Sequence, residues 1–239
     1  MKRCCMRMLA KQRWRTRTAL AVSSFALWVV LAVPLLAQEI PDRCLTCHAQ
    51  FDARLGEPAQ KFPNDIHAQR GLTCAACHGG DATTDNLRQA KSPAKGFRGV
   101  PKRIEIPPLC ARCHSDASFM RAYNPSLRTD QLAQYWTSGH GQQLRRGDTR
   151  VAVCSDCHGV HDIRPATSPL SAVHPLKIPE TCAQCHSSTE HMKGYDLPTD
   201  QFATYRASLH FQALAAGNLA AHSCATCHGN HGAAPPGVA

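Results

Sequence analysis

The sequence predicts a mainly α-helical fold with extensive irregular structure. Two segments, 130–146 and 200–216, follow Thr or Asp and end before a glycine, Gly147 or Gly217, as helix caps prefer. Sixteen prolines and fifteen glycines are spread along the chain, and both residue types interrupt regular structure. A short motif, C-x-x-C-H, occurs six times. We therefore expect short helices joined by irregular segments, with the motifs organising the fold.

The six motifs contain twelve of the fourteen cysteines. In each motif, two thiols can form thioethers to one porphyrin, and the adjacent histidine can bind its iron. Zinc knuckles and disulfide frameworks also use C-x-x-C pairs, but neither explains a histidine after every second cysteine. The motifs therefore predict six covalently attached haem c groups. The predicted attachment residues are Cys44, Cys47, Cys74, Cys77, Cys110, Cys113, Cys154, Cys157, Cys182, Cys185, Cys224 and Cys227, and the predicted proximal iron ligands are His48, His78, His114, His158, His186 and His228.

The motifs fall into three pairs, which predicts three di-haem units after a leader. Residues 135–161 recur as 205–231 at a constant offset of 70 residues. The first motif of each pair follows an Ile-Pro dipeptide, and a glycine follows the second motif. We expect the missing side chain of these glycines to let the backbone lie close to a porphyrin. The predicted organisation is a leader at 1–37, unit A at 38–105, unit B at 106–175 and unit C at 176–239.

The leader is basic up to residue 17 and apolar from 18 to 37. This pattern is typical of a secretory signal peptide or of an uncleaved membrane anchor, since about 20 apolar residues can span a bilayer. Ala37 ends a stretch that resembles a cleavage site, so 18–37 is predicted to be either a removed signal peptide or an anchor. In both cases we expect the rest of the chain to be exported to the periplasm, which agrees with covalent haem attachment.

The net charge of +10 does not indicate nucleic-acid binding. Seven of the 27 Lys and Arg residues lie in the leader, and the rest of the chain carries a net charge of +3. Two propionates on each haem would shift the surface further towards neutral or acidic values, so we exclude nucleic acid as a partner. Because so much of the apolar interior must be porphyrin, we also expect the chain without haem to be largely unfolded.

Eight further histidines are candidates for the second axial position of the irons. His140 and His161 in unit B recur as His210 and His231 in unit C at fixed distances from the motifs, and haem iron often takes a second axial histidine. His161 and His231 each follow a proximal histidine by three residues. In a helical turn both imidazoles would project from one side, so we expect each of them to bind a different haem from its neighbour.

Unit A has fewer histidines than units B and C. His67 lies where His140 and His210 lie, although closer to its motif, and Asp81 stands in place of the second histidine. We assign the remaining position to His174, in the linker before unit C. The predicted distal ligands are thus His67, His140, His161, His174, His210 and His231. His191 and His222 are interpreted as surface or supporting residues, and Met120 and Met192 as packing residues that compete only weakly as ligands.

With these motifs, residues 40–231 resemble the periplasmic multihaem c-type cytochromes, of the bis-histidine kind found in class III cytochromes c and in small electron carriers that serve respiratory reductases. The resemblance implies closely spaced low-potential haems and little secondary structure. It also implies an electron carrier rather than an enzyme, relaying electrons between a membrane quinol oxidoreductase or cytochrome b and a redox partner of a respiratory chain.

Two other functions stay open. A multihaem reductase acting on nitrite, hydroxylamine or a sulfur oxyanion would keep one iron open for substrate. Against it, no motif replaces its histidine with lysine, as the nitrite-reducing family does, and the histidines suffice for every iron. A subunit of a conductive filament or of a membrane redox complex could use an interface histidine, such as His191, to bind a haem of the next subunit.

Overall fold

The computed structural model describes residues 42–235. Over this range the chain forms short α-helices and three 3-10 helices, and the described residues contain no strand. The longest helices have nine residues. The predicted mainly α-helical fold with extensive irregular structure is confirmed. The leader lies outside the described residues, and along 42–235 no helix is long and apolar enough to cross a bilayer.

The helices of the three predicted units follow one another in chain order. Unit A contains α1 (Arg43–His48), α2 (Ala53–Lys61), α3 (Ile66–Gln69), α4 (Cys74–His78) and α5 (Leu87–Ala90). Unit B contains α6 (Ile106–His114), α7 (Ala117–Tyr123), α8 (Gln131–Thr137), α9 (Gly139–Arg145) and α10 (Cys154–His158). Unit C contains α11 (Ile178–His186), α12 (Thr189–Met192), α13 (Gln201–Arg206), α14 (Leu209–Ala215) and α15 (Cys224–His228). The 3-10 helices are Phe62–Asn64, Pro93–Lys95 and Arg103–Glu105.

Each C-x-x-C-H motif lies in a helix that ends at its histidine. Helices α6 and α11 begin at the Ile-Pro dipeptides, because proline is tolerated in the first turn, where its missing N–H has no intrahelical partner. Helix α1 begins after Asp42, whose carboxylate accepts hydrogen bonds from the N–H groups of Cys44 and Leu45. The same carboxylate accepts a bond of 2.9 Å from the N–H of Cys74, which ties the two motifs of unit A together.

The three units share one packing pattern. The first motif helix packs on the second in each unit, as α1 on α4, α6 on α10 and α11 on α15. It also packs on the helix between them, which is α2, α8 or α13. In unit B the neighbouring Cys110 thiol raises the pKa of Cys154, and in unit C the neighbouring Cys224 thiol raises the pKa of Cys182. The motifs of a unit therefore lie side by side, while the exact unit boundaries stay a prediction.

Two predicted helices are each broken in two. The segment 130–146 forms α8 and α9, and the segment 200–216 forms α13 and α14. The single-helix prediction was wrong because Ser138 adopts an extended conformation, with φ −68° and ψ 160°, and caps a new helix. Ser208 does the same before α14, with φ −84° and ψ 157°. Each break sets a new helix direction just before a histidine.

The described residues bury few apolar side chains. Tyr135, Leu144, Val151 and Val153 form a small cluster in unit B, and Met120 and Met192 are each only 7 % exposed. The segment 79–103 folds back on α4. The N–H of Gly80 donates to Lys95 O at 3.0 Å and the N–H of Arg98 donates to His78 O at 2.9 Å, so this segment supports a motif.

Candidate haem-binding sites

The twelve motif cysteines are all unpaired thiols. Each motif helix presents two of them one turn apart, close to the imidazole at its end. Burial, followed by the nearby Asp42 carboxylate, raises the pKa of the Cys74 thiol to about 12, and burial raises the pKa of Cys157. Such thiols stay protonated at neutral pH.

Three of the proximal histidines are oriented by backbone carbonyls. The Nδ1 atom of His48 lies 3.0 Å from Leu55 O, that of His78 lies 2.8 Å from Gly99 O, and that of His228 lies 3.0 Å from Ala234 O. A carbonyl can only accept, so Nδ1 carries the proton and Nε2 keeps its lone pair. Metal-binding histidines are commonly oriented in this way. No sequence pattern indicates these contacts, since a carbonyl acceptor depends on the fold and not on the side chain.

His67, His140 and His210 occupy the same local structure. Each is the second residue of a short helix, α3, α9 or α14, and follows a capping residue by two positions. The caps are Asp65, Ser138 and Ser208, whose side chains accept from N–H groups of the first turn at 2.9, 3.0 and 3.2 Å. An N-cap followed two residues later by histidine is thus the local signal for these sites.

His161 and His231 lie beyond the ends of α10 and α15. Gly159 and Gly229 have φ values of +80° and +79°, which only glycine adopts without strain, so the chain leaves the helix at that point. The expected helical turn between proximal histidine and His161 is therefore wrong. His161 itself has φ +63°, an uncommon conformation for a non-glycine residue that is often retained at functional sites.

The equivalent glycine of unit A is constrained by packing as well as by its conformation. A Cβ at Gly79 would lie 2.0 Å from the carbonyl oxygen of Gly96. The expected approach of backbone to a porphyrin at these glycines stays a prediction, and the structure adds a second reason for them. They end the motif helices at positive φ with an extended ψ, a conformation that other residues rarely adopt.

Four imidazole pairs bring a predicted distal histidine to a predicted proximal one. The ring centroids lie 5.9 Å apart for His67 and His114, 6.0 Å for His78 and His161, 6.0 Å for His140 and His186, and 6.0 Å for His158 and His231. Metal–imidazole bonds are about 2 Å long, so two imidazoles on opposite sides of one iron have centroids roughly 6 Å apart. The separations fit an iron held between each pair.

The four pairs join different units. His67 of unit A faces His114 of unit B, and His140 of unit B faces His186 of unit C. In the opposite direction, His161 of unit B faces His78 of unit A, and His231 of unit C faces His158 of unit B. We call this arrangement the offset pairing. It supports the expectation that His161 and His231 bind a different haem from the adjacent histidine, which stays a prediction.

Backbone contacts accompany the offset pairing at both junctions. The N–H of Ile66, just before His67, donates to Ile163 O at 2.8 Å. The N–H of Gly139, just before His140, donates to Ala233 O at 3.0 Å. Both acceptors lie two residues after the second distal histidine of the following unit. The two junctions are therefore built alike.

Burial lowers the pKa of six of the eight paired imidazoles. It is the main cause that lowers the pKa of His158 to about 4, assisted by the neighbouring His231. It also lowers the pKa values of His114, His140 and His186. Only the neutral imidazole offers a lone pair to a metal, so the buried pairs are held in the form that binds iron.

Asp65 is a supporting residue that the sequence did not reveal. Its side chain is almost fully buried, and one oxygen lies 2.8 Å from Nδ1 of His67 while the other accepts from the N–H of Ile163 at 2.8 Å. Burial raises the pKa of this carboxyl, but the hydrogen bonds from His67 and Ile163 outweigh burial, and its pKa is lowered. A carboxylate behind a ligating histidine orients the ring and raises its basicity.

The structure does not bring every predicted ligand to an iron site. Within residues 42–235, the ring pairs that involve a proximal histidine include neither His174 nor His210. His174 is buried, and its Nδ1 accepts from the N–H of Leu176 at 3.3 Å. His210 faces His222 at 5.0 Å. Over the same range, His48 pairs with Phe51 and no ring pair within 6.0 Å includes His228.

Together, the six C-x-x-C-H helices and the facing imidazoles define a multihaem c-type cytochrome. The family model described as cytochrome c3 matches residues 66–187, just over half of the chain. The chain belongs to this family, which indicates covalently bound haem c and electron transfer.

One similar protein comes from Geobacter sulfurreducens and is named C-type polyheme cytochrome OmcC. It is 24 % identical over 117 residues, a match that covers 48 % of this chain and 14 % of that protein. The chain thus spans a small part of the length of this relative. No solved structure matches the chain.

Proposed function

We propose that this chain is an electron carrier that relays electrons through six covalently bound haems. Six motif helices each provide two thiols and one imidazole, which is the complete attachment set for one c-type haem. The bound haems supply irons that each accept and release one electron. The chain's own contribution is to attach these groups, orient them and complete their axial positions.

The offset pairing is the observation that carries this proposal. Imidazoles on both sides of an iron leave it no position for a substrate, and a fixed pair of ligands changes little when the iron changes its oxidation state. Because each distal histidine belongs to a neighbouring unit, the same contacts also hold consecutive sites at short range. Both consequences favour electron transfer over catalysis.

We assign the chain to the periplasm, in a respiratory chain. The basic and apolar leader supports export, either with a cleaved signal peptide or with an anchor at 18–37. A membrane quinol oxidoreductase or cytochrome b is the proposed donor, and another redox protein is the proposed acceptor. The matched family supports the proposal of electron transfer. The proposed donor and acceptor are inferred from the leader and from the family resemblance.

A reductive titration of the haem-loaded protein tests the proposal. Mass spectrometry of the intact chain should show six attached haems, and a potentiometric titration should show six reversible one-electron steps. Nitrite and hydroxylamine should not be consumed when the reduced protein is mixed with them. Fewer than six haems, or catalytic turnover of either compound, contradicts the proposal.

One observation favours a second candidate function, a reductase with a single open haem. His228 is exposed, and no ring pair within 6.0 Å among residues 42–235 includes it. An iron with a vacant axial position binds carbon monoxide or cyanide, whereas bis-histidine haems do so only after losing a ligand. Stoichiometric binding of one carbon monoxide per reduced chain, together with turnover of nitrite, hydroxylamine or a sulfur oxyanion, would favour this function.

A further inference from the structure

The offset pairing leaves one candidate distal histidine without a proximal partner in unit C and one proximal histidine without a distal partner in unit A. His67 of unit A and His140 of unit B each face the first proximal histidine of the next unit. His210 is the equivalent residue of unit C and has no following unit within residues 42–235. His48 is the first proximal histidine of unit A, and no preceding unit in this range faces it.

His210 is presented in the same way as His140. Both are second residues of seven-residue helices capped by a serine. In both units a tyrosine hydroxyl connects the helix before the capping serine to the segment before the second motif. Tyr135 donates to Ala152 O and Tyr205 donates to His222 O, both at 2.9 Å. The local structure that places His140 opposite His186 is therefore complete around His210.

The surface around His210 is uncovered where its equivalents are covered. His210 is exposed, and Leu209 beside it is 78 % exposed. Among residues 42–235, no backbone carbonyl accepts a hydrogen bond from Leu209, whereas Ile66 and Gly139 at the equivalent positions both donate across their junctions. Unit C thus ends in a junction surface whose other half is absent from the described range.

The matching half lies at the other end of the same chain. The Nδ1 atom of His48 is hydrogen-bonded to Leu55 O. This contact orients the ring and leaves Nε2 available to hold an iron. Leu55 and Phe51 beside it are 54 % and 45 % exposed, so this end also carries apolar surface. Thr83, exposed in unit A, stands at the position of Ile163 and Ala233, whose carbonyls accept the junction hydrogen bonds.

We infer that a second copy of this chain docks head to tail, so that His210 of one copy provides the distal ligand of the haem held by His48 of the next. The inference rests on the proposed ligation by paired histidines. In this contact Nε2 of His210 would bind the iron through its lone pair, in place of any water there. No electron or proton is transferred.

The junction between copies differs from the internal ones in one respect. At the internal junctions a second histidine, His161 or His231, returns to the preceding unit. Unit A has Asp81 at this position, and its carboxylate is paired with Lys95. Docking therefore supplies a distal ligand to the haem of His48 and none to the haem of His228. Each junction between copies is thus bridged by one ligating histidine, whereas each internal junction has two.

The inference is tested by measuring the spin state of the haems and the mass of the particle in a dilution series of the full-length, haem-loaded protein. Electron paramagnetic resonance should show one high-spin haem per chain lost as the protein is concentrated, and sedimentation should show multiples of the monomer mass over the same range. The variant His210→Ala should stay monomeric and keep that high-spin haem. His222→Ala removes an exposed imidazole 5.0 Å from His210 and should behave like the natural protein.

Added imidazole separates ligation from a general defect. It should convert the high-spin haem of His210→Ala to low spin without restoring the larger mass. A number of high-spin haems per chain that does not fall by one as the protein is concentrated, or a His210→Ala variant that associates as the natural protein does, would overturn the inference. The low-spin signals of the four paired haems report separately on the proposed function, because they should persist in every one of these samples.

Discussion

At the scale of single residues, His140 and His186 show what an axial pair requires of the chain. Their ring centroids lie 6.0 Å apart, although the two residues belong to helices α9 and α11 of different units. Burial lowers the pKa of both imidazoles, which keeps them in the neutral form. One side chain on each side of the iron thus determines whether that iron can bind anything else.

Replacing His140 by alanine should convert one haem per chain from low spin to high spin. The iron held by His186 loses its only facing imidazole, while the other three pairs are unchanged. Electron paramagnetic resonance of the oxidised protein measures this count. His222→Ala is the matched control and should leave the spectrum unchanged in dilute protein, and an unchanged spectrum for His140→Ala would show that His140 is not a ligand.

Asp65 gives a second test at this scale. The variant Asp65→Asn keeps a capping side chain but removes the charge beside Nδ1 of His67. The loss of a charged partner behind a metal ligand typically weakens binding by about 10- to 100-fold, so exogenous imidazole or carbon monoxide should displace His67 more easily. Binding titrations followed by absorption measure the change, and equal affinities in both proteins would contradict this role.

The pH dependence of the same contact has a defined sign. The pKa of Asp65 is lowered in the folded protein, so the folded state binds fewer protons at this group than the unfolded chain does. The contribution of Asp65 to stability is therefore present above the ordinary aspartate pKa and is lost as the pH falls through its folded pKa. Asp65→Asn should remove this part of the acid dependence.

At the scale of elements, the broken helices are what aim the distal histidines. The Ser138 hydroxyl donates to Tyr135 O at 2.6 Å and accepts from the N–H of Gly141 at 3.0 Å. It therefore ends α8 and begins α9 at once. Because His140 is the second residue of α9, the direction of that helix determines where the imidazole points.

Ser138→Ala should lower stability and loosen the pairing of His140. Loss of an N-cap side chain costs about 1 kcal/mol, and the change should lower the melting temperature and raise the high-spin fraction. Ser208→Ala removes the equivalent cap of α14, so it should cost a similar amount of stability. In dilute protein it should not change the spin state, because His210 faces no proximal imidazole there, and a spin change in both variants would contradict this account.

The sequence was sufficient to identify the motif residues but not the pairing of the histidines. The C-x-x-C-H motif contains both cysteines and the proximal histidine, so those residues can be assigned without knowledge of the fold. His67 and His161 were recognised as distal candidates from the repeat, yet their partners His114 and His78 lie in other units. Such contacts depend on tertiary packing and leave no local pattern in the chain.

The same limit explains the assignments of His174 and His210. His210 was assigned because it recurs at the position of His140, and His174 because unit A lacks a second distal histidine. Neither argument identifies the iron that the residue faces, since the offset pairing depends on how the units pack. The broken helices were predictable in part, since Ser138 and Ser208 are good capping residues. Because both serines lie inside segments predicted to be single helices, their capping role was not predicted.

At the scale of the whole molecule, the described chain has little apolar interior of its own. Buried apolar side chains are few, and the cluster of Tyr135, Leu144, Val151 and Val153 is confined to unit B. Short helices of this length are marginal in water without tertiary packing. The haems are therefore expected to complete the interior and to hold the units together through the offset pairing.

Protein produced without haem attachment should accordingly be largely unfolded. Circular dichroism should show little helix and no cooperative thermal transition, whereas the haem-loaded protein should show both. The physical reason is that so few buried side chains cannot offset the conformational entropy of the chain. A compact haem-free protein with a sharp melting transition would contradict this expectation.

The most direct measurement of the central claim is the number of low-spin, bis-histidine haems in the oxidised, dilute, haem-loaded protein. Integrated electron paramagnetic resonance combined with near-infrared magnetic circular dichroism provides this number against the total haem content. The offset pairing predicts at least four such haems per chain, those held by His78, His114, His158 and His186. A count below four would contradict the pairing and, with it, the proposal of an electron relay.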